Sequence, residues 1–138
     1  MRLLLDTHLL LWAAAGTLPP ELARHVADED NDLSFSPASI WEIVIKKGLG
    51  RPDFTVDPAR LHHGLIASGY LEVPITGRAT LHVATLPALH KDPFDRLLVA
   101  QAIEEGLTLL TADRSLAGYP GRVTCIPASA SDPGDARA

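Results

Sequence analysis

The chain has 138 residues, enough for one compact domain with a real core and too few for two. Hydrophobic residues make up 46% and charged residues 21%, as in an ordinary globular protein, and with aromatics at 5% the core must be built from leucine, alanine and valine. A formal charge of −5 and a single cysteine, Cys125, exclude a disulfide-stapled scaffold and a protein that holds nucleic acid by bulk positive charge.

The first stretch, "MRLLLDTHLLLWAAAG", has the early arginine and the alanines of a secretory leader. Asp6 and His8 interrupt it before an apolar region of the required length can form. No stretch approaches the roughly 18 apolar residues of a spanning helix, so the expected location is the cytoplasm, with no membrane partner. "RLLLD" is a buried strand, and "THLLLWAAAG" a helix ending near Gly16. "LPPELARHVADED" is a helix opened by its proline pair, and "DLSFS" a short strand. "SPASIWEIVIKKGLG" predicts a helix capped by Ser36 with Pro37 at its first position and a C-terminal glycine at Gly48 or Gly50. "DPARLHHGLIASG" repeats that logic from Asp57. "YLEVPI" is a strand, "TGRATLHVATLP" and "DPFDRLLVAQAIEEG" are helices, and "LTLLTAD" and "RVTCIP" are the last strands. The tail from 127 to 138 is small, polar and expected to be disordered, which leaves residues 1–126 as the domain. Short, solidly apolar strands alternating with helices predict an α/β fold with a parallel sheet covered on both faces, and sites in such sheets lie at the carboxyl ends of the strands.

The acids fall at those ends. Asp6 closes the first strand, and Asp113 follows "LTLLTA". Glu42 lies well inside the Ser36 helix among Ile40, Ile43 and Val44, either at the edge of the apolar face with Lys46 at i+4 or turned into a polar pocket. In "HKDPFDRLLVAQA", Asp92 suits the N-cap and Asp95 the third helical position. Asp95 could then serve the cap or hold a ligand. Each acid alone has a structural explanation. Gathered together, Asp6, Glu42, Asp95 and Asp113 would repel strongly without cations. Oxygen-only clusters suit Mg²⁺ or Mn²⁺, and two such ions can activate a water and stabilise a leaving oxygen in phosphodiester cleavage.

"LLLDTHLLLWA", "SPASIWEIVIKKGLGR", "HKDPFDRLLVAQA" and "LLTAD" resemble, in the right order over residues 2 to 126, the acidic motifs of PIN-domain ribonucleases, and more closely those of VapC-type toxins of bacterial toxin–antitoxin pairs. The resemblance implies a three-layer α/β/α domain with a central, mainly parallel sheet and an Mg²⁺- or Mn²⁺-dependent endoribonuclease site. It carries Asp6, Glu42, Asp95 and Asp113 over as the acidic quartet, catalytic and metal-holding. It also implies an antitoxin partner and a homodimer. With RNA as substrate, Lys46, Lys47, Arg51, Lys91, Arg96 and Arg114 are candidate phosphate contacts. Thr7, Thr111 and Asp92 are candidates for orienting the carboxylates from behind. His8 and His90 are expected in surface or packing roles, and the pair His62–His63 on a helix surface. Two other readings are weighed. An aspartyl-nucleophile phosphatase needs a second aspartate where His8 stands. A non-catalytic, receiver-like α/β module would hold a cation structurally between acids after its first strand.

Overall fold

A computed structural model describes residues 1–127; most of the tail on which disorder is expected lies outside the described residues. The elements follow the predicted alternation: β1 (Arg2–Leu5), α1 (Thr7–Ala15), α2 (Pro20–Ala27), β2 (Asp32–Phe35), α3 (Pro37–Gly48), α4 (Pro58–Ala67), β3 (Leu71–Glu72), α5 (Gly77–His82), α6 (Pro93–Glu105), β4 (Thr108–Thr111) and β5 (Val123–Cys125), with single 3₁₀ turns at Val83–Thr85 and Arg114–Leu116. The strands form one five-stranded sheet in the order β3-β2-β1-β4-β5, and every pairing is parallel. Central β1 pairs Leu3 with Leu33 on one side and Leu5 with Leu110 on the other.

Strand alternation explains why both faces are dry. Leu3 and Leu5 join Leu9, Leu10, Leu22, Ile43, Leu61 and Leu65, so α1 to α4 contribute to one core. Leu4 and Leu109 join Leu98, Val99, Ala102, Leu116 and Tyr119 in a second core under α6. The fold is therefore a three-layer α/β/α sandwich. The edge strand β3 is shorter than "YLEVPI" predicts, with both its residues exposed. The helix expected over "TGRATLHVATLP" is a short α5 followed by a 3₁₀ turn. No helix among the described residues is long and apolar enough to cross a membrane.

The helix starts obey the local rules. Ser36 caps α3 through Ala38 N–H, Asp57 caps α4 through Ala59 and Arg60 N–H, and Pro occupies the first turn of both. Helix α6 ends at Gly106 with φ of 67°, a left-handed conformation that glycine adopts without strain. The strand order also separates this chain from receivers, whose order is 2-1-3-4-5. Here the order of strand addition reverses at β1, with β2 on one side and β4 on the other, and the carboxyl ends of the parallel β1 and β4 lie side by side.

Candidate metal centre

Asp6 sits at that reversal. Its backbone N–H continues the sheet ladder to the Leu110 carbonyl at 3.1 Å, and its Oδ1 caps α1 by accepting from Leu9 N–H at 3.0 Å. The other oxygen, Oδ2, accepts a hydrogen bond from the Thr111 hydroxyl at the end of β4. Asp6 is only 5% exposed. Burial pushes its pKa above the ordinary carboxylate value, against the Thr111 and Leu9 hydrogen bonds, which pull the other way.

Glu42 projects from α3 and is 2% exposed, so the pocket reading holds. Its Oε1 accepts from the Thr7 hydroxyl at 2.6 Å, and its Oε2 pairs with Lys46 Nζ at 2.5 Å. The i+4 pairing expected for the edge reading is thus present as well, but inside the site. Thr7 Oγ1 also lies 3.0 Å from Ser39 Oγ. Lys46 reaches within 3.8 Å of Asp92 Oδ2 and lies 5.0 Å from the centroid of the Phe54 ring. Burial works against its charge, but Glu42, then Asp92 and Asp95, outweigh that and hold its pKa above the ordinary lysine value.

Asp92 is the cap of α6: Oδ1 accepts from Phe94 N–H at 2.8 Å and from Asp95 N–H at 3.3 Å. In a capping box the third-position acid would bond the cap's own N–H. Here His90 Nδ1 takes that N–H at 3.0 Å, so Asp95 is released from capping duty. Desolvation first, then the charges of Asp92, Asp6 and Glu42, push the Asp95 carboxyl up to about 7, with His90 opposing. Asp95 thus feels the charges of three other acids, as expected of a carboxyl in an acidic cluster.

Asp113 starts the 3₁₀ turn after β4. Its Oδ1 accepts from Ser115 N–H at 2.9 Å and from the Ser115 hydroxyl at 2.7 Å, and its own N–H donates to Thr111 Oγ1 at 3.0 Å. Its pKa lies below the ordinary value: desolvation would raise it, but the Ser115 bonds and His90 prevail. His90 Nε2 lies 3.3 Å from Asp113 Oδ2 and 3.5 Å from Asp95 Oδ2. His90, Asp95 and Asp113 offer polar atoms all within 4.8 Å of one another.

Several sequence expectations need revision. His90 was expected on the surface or in packing, yet it stands between two of the acids; its place two residues before an N-cap was the available signal. Arg96 was a candidate phosphate contact. Its guanidinium instead donates to the Pro87 carbonyl (2.9 Å), the Val83 carbonyl (3.0 Å) and the Tyr119 hydroxyl (3.1 Å), bracing the loop before α6. Lys46 is engaged with Glu42 rather than displayed to solvent. Lys47, Arg51, Lys91 and Arg114 are exposed. His8 pairs with Asp53 at 3.3 Å and packs on Trp12 and Phe54, and His62 pairs with Glu72. Cys125 is half-buried, with burial raising its thiol pKa.

The donor set fits a hard divalent cation. It is dominated by carboxylate oxygens, Asp6 and Glu42 are buried and Asp95 half-buried, and the Asp95 carboxyl is pushed up to about 7.

A family model described as "PIN domain" matches residues 3–121. Solved structures share the fold at low identity. One is VapBC2 from Rickettsia felis bound to a DNA fragment from its promoter, with TM-score 0.68 and 15% identity, covering 91% of this chain and 99% of that one. Another is a toxin–antitoxin complex from Klebsiella pneumoniae, with TM-score 0.60 and 21% identity, covering 88% and 95%. A third is VapBC-1 from nontypeable Haemophilus influenzae, with TM-score 0.63 and 16% identity, covering 91% and 98%. No curated protein matches the sequence.

Proposed function

The chain belongs to the PIN domain family, and from that premise we propose that it is a divalent-cation-dependent endoribonuclease acting as the toxin of a toxin–antitoxin pair. The observation that carries the reading is that Asp95 and Asp113 offer oxygens within 4.8 Å of each other beside His90, with Asp6 and Glu42 near enough for their charges to push the Asp95 carboxyl up. The acidity of this cluster is otherwise hard to account for, since a carboxyl held up to about 7 destabilises the folded state at neutral pH unless a cation repays it.

Asp6, Asp95 and Asp113 would hold Mg²⁺ or Mn²⁺. When bound, such a cation supplies an acidified water and neutralises charge on the phosphodiester. The chain's own residues do the rest. Thr111 fixes the rotamer of Asp6, and Ser115 fixes that of Asp113. Thr7 and Lys46 hold Glu42 at the inner wall, where its charge keeps the pocket anionic. Lys47, Arg51, Lys91 and Arg114, exposed cations, are the proposed contacts for RNA phosphates.

The antitoxin and a second copy of the chain are proposed as partners. Trp41 and Val44, 59% and 43% exposed on α3, offer apolar contact area for self-association. A groove of about 550 Å³ between α1, α2 and α4, lined by Leu18, Val26, Leu65 and Tyr70, suits an apolar helix.

The test is incubation of purified protein with total RNA, with Mn²⁺, with Mg²⁺ and with chelator. Cleavage that requires the cation and disappears in Asp6→Asn supports the reading; cleavage indifferent to chelator, or none with either ion, contradicts it. Asp92 separates capping from chemistry. Asparagine is also a good cap, so Asp92→Asn should retain cleavage within about tenfold and the wild-type melting temperature. Asp92→Ala should lose about 1 kcal/mol by urea denaturation. Loss of cleavage in Asp92→Asn as deep as in Asp95→Asn would reverse the two assignments.

A further inference from the structure

We infer that His90 is a positioning residue: its ring, fixed as the Nε2–H tautomer by the backbone amide of Asp92, ties Asp113 to Asp95 so that their oxygens converge on one cation, while the ring itself stays off that cation. The inference rests on the metal-centre reading above.

The tautomer follows from one contact. A backbone N–H can only donate, and Asp92 N lies 3.0 Å from His90 Nδ1. In this arrangement Nδ1 presents a lone pair, which does not fit the Nδ1–H tautomer. The ring proton sits on Nε2, which faces Asp113 Oδ2 at 3.3 Å and Asp95 Oδ2 at 3.5 Å. The contact to Asp113 suits an N–H donor on that carboxylate, with Asp95 Oδ2 in longer polar contact with the same ring nitrogen. The two distances would also suit three ligands around one ion, and the polarity of the ring decides between the two. A ligating histidine offers the lone pair of one nitrogen and donates the N–H of the other to a carbonyl or carboxylate. In His90 the second nitrogen receives an N–H instead. Turning Nε2 into a ligand would place Nδ1–H against Asp92 N–H, donor against donor.

Asp113 needs such a tie. It stands in a loop two residues past β4 and is exposed, whereas Asp95 is built into α6. Ser115 holds its Oδ1, and His90 holds its Oδ2. Ser115 occupies both lone pairs of Oδ1, and Oδ2 keeps a further lone pair for a cation. His90 is itself braced. The Tyr119 hydroxyl donates to the His90 carbonyl at 3.4 Å, and Arg96, the residue after Asp95, donates to that same hydroxyl. The tie therefore runs from α6 through the preceding loop to Asp113, and Arg96 has its function in it.

Two measurements on the full chain test this. In metal-free protein, ¹⁵N NMR of the His90 ring should show a lone pair on Nδ1 and a proton on Nε2. In Mn²⁺-loaded protein, pulsed EPR should show no directly coordinated ring nitrogen. Mn²⁺ affinity, read by EPR titration, should fall about 10–100-fold in His90→Ala. It should return to within a few-fold of wild type in His90→Gln, whose amide nitrogen can donate like Nε2–H but cannot ligate. A Mn–N coupling, a protonated Nδ1, wild-type affinity in His90→Ala, or a His90→Gln no better than alanine would each overturn the inference. Wild type that binds no Mn²⁺ while its ring is in the Nε2–H form would instead overturn the metal-centre reading, and with it the purpose of the tie.

Discussion

Asp95→Asn should abolish cleavage and stabilise the metal-free protein at once. The loss of activity should be on the order of a thousandfold, equivalent to about 4 kcal/mol of charge stabilisation at the phosphate. The gain in stability follows from the sign of the pKa shift. The folded-state carboxyl is raised from 3.8 to about 7, so the native state binds more protons than the unfolded chain in that interval. The stability that Asp95 contributes without metal is therefore full below about pH 4 and is lost as pH rises through about 7. Asp6, also raised by burial, adds loss of the same sign; Asp113, lowered, gives the opposite slope at acid pH. Asparagine cannot ionise and removes the Asp95 contribution. At pH 8 in chelator the variant should be more stable by about 2–4 kcal/mol, less the fraction of a kcal/mol that an acid in the first helical turn contributes. Urea denaturation at pH 4 and pH 8 checks it: the two proteins should coincide at the low pH and separate at the high one. Equal midpoints at pH 8 would show that Asp95 is not repelled by its neighbours.

Lys46→Met should be the most damaging change outside the acids. Glu42 is almost wholly buried and has two partners, Thr7 and Lys46. Removing the ammonium leaves a buried carboxylate with a single hydroxyl donor, a loss of about 3–5 kcal/mol. The methionine also gives up the ammonium's contact with the Phe54 ring, 5.0 Å to its centroid, so the measured loss includes that contact. The double variant Lys46→Met/Glu42→Gln should recover most of the loss, because no buried charge remains unpaired. Chemical denaturation of the four proteins closes the cycle. If Lys46→Met melts with wild type, the pair contributes nothing, and Lys46 is free for the phosphate role that its sequence position suggested.

The architecture was legible because its signals are local. Three leucines before Asp6 and the alternation that sends Leu3 and Leu5 to one core and Leu4 to the other need only the period of a strand. The choice of Ser36 over Ser39 as the α3 cap, and of Asp92 over Asp95 as the α6 cap, likewise needs only proline at the first helical position. Thr7 and Thr111 could be suspected from adjacency, but which acid each one holds could not. Thr7, beside Asp6, bonds Glu42, and Thr111, near Asp113, bonds Asp6. These pairings cross 35 and 105 residues of chain. His90 and Arg96 were misread for the same reason. One depends on Asp113 and the other on Tyr119, each 23 residues away, and no local pattern predicts such contacts. The edge strand β3 fell short of its apolar run because the Val73 N–H makes the last bond to β2, at the Phe35 carbonyl, Pro74 has no N–H to continue the ladder, and Gln101 takes the carbonyls of Val73 and Pro74 at 3.2 Å each.

The central claim is that acids distant in sequence form one cation site. The most direct measurement is a Mn²⁺ titration of melting temperature at neutral pH, for wild type and for Asp6→Asn/Asp113→Asn. Wild type should gain stability as RT ln(1 + [L]/Kd), about 2.7 kcal/mol at a hundredfold excess over Kd, and the gain should nearly vanish at pH 4. The double variant should melt higher than wild type in chelator and ignore added Mn²⁺. Equal responses of the two proteins to Mn²⁺ would mean that these carboxylates do not share an ion, and the nuclease reading would lose its physical basis.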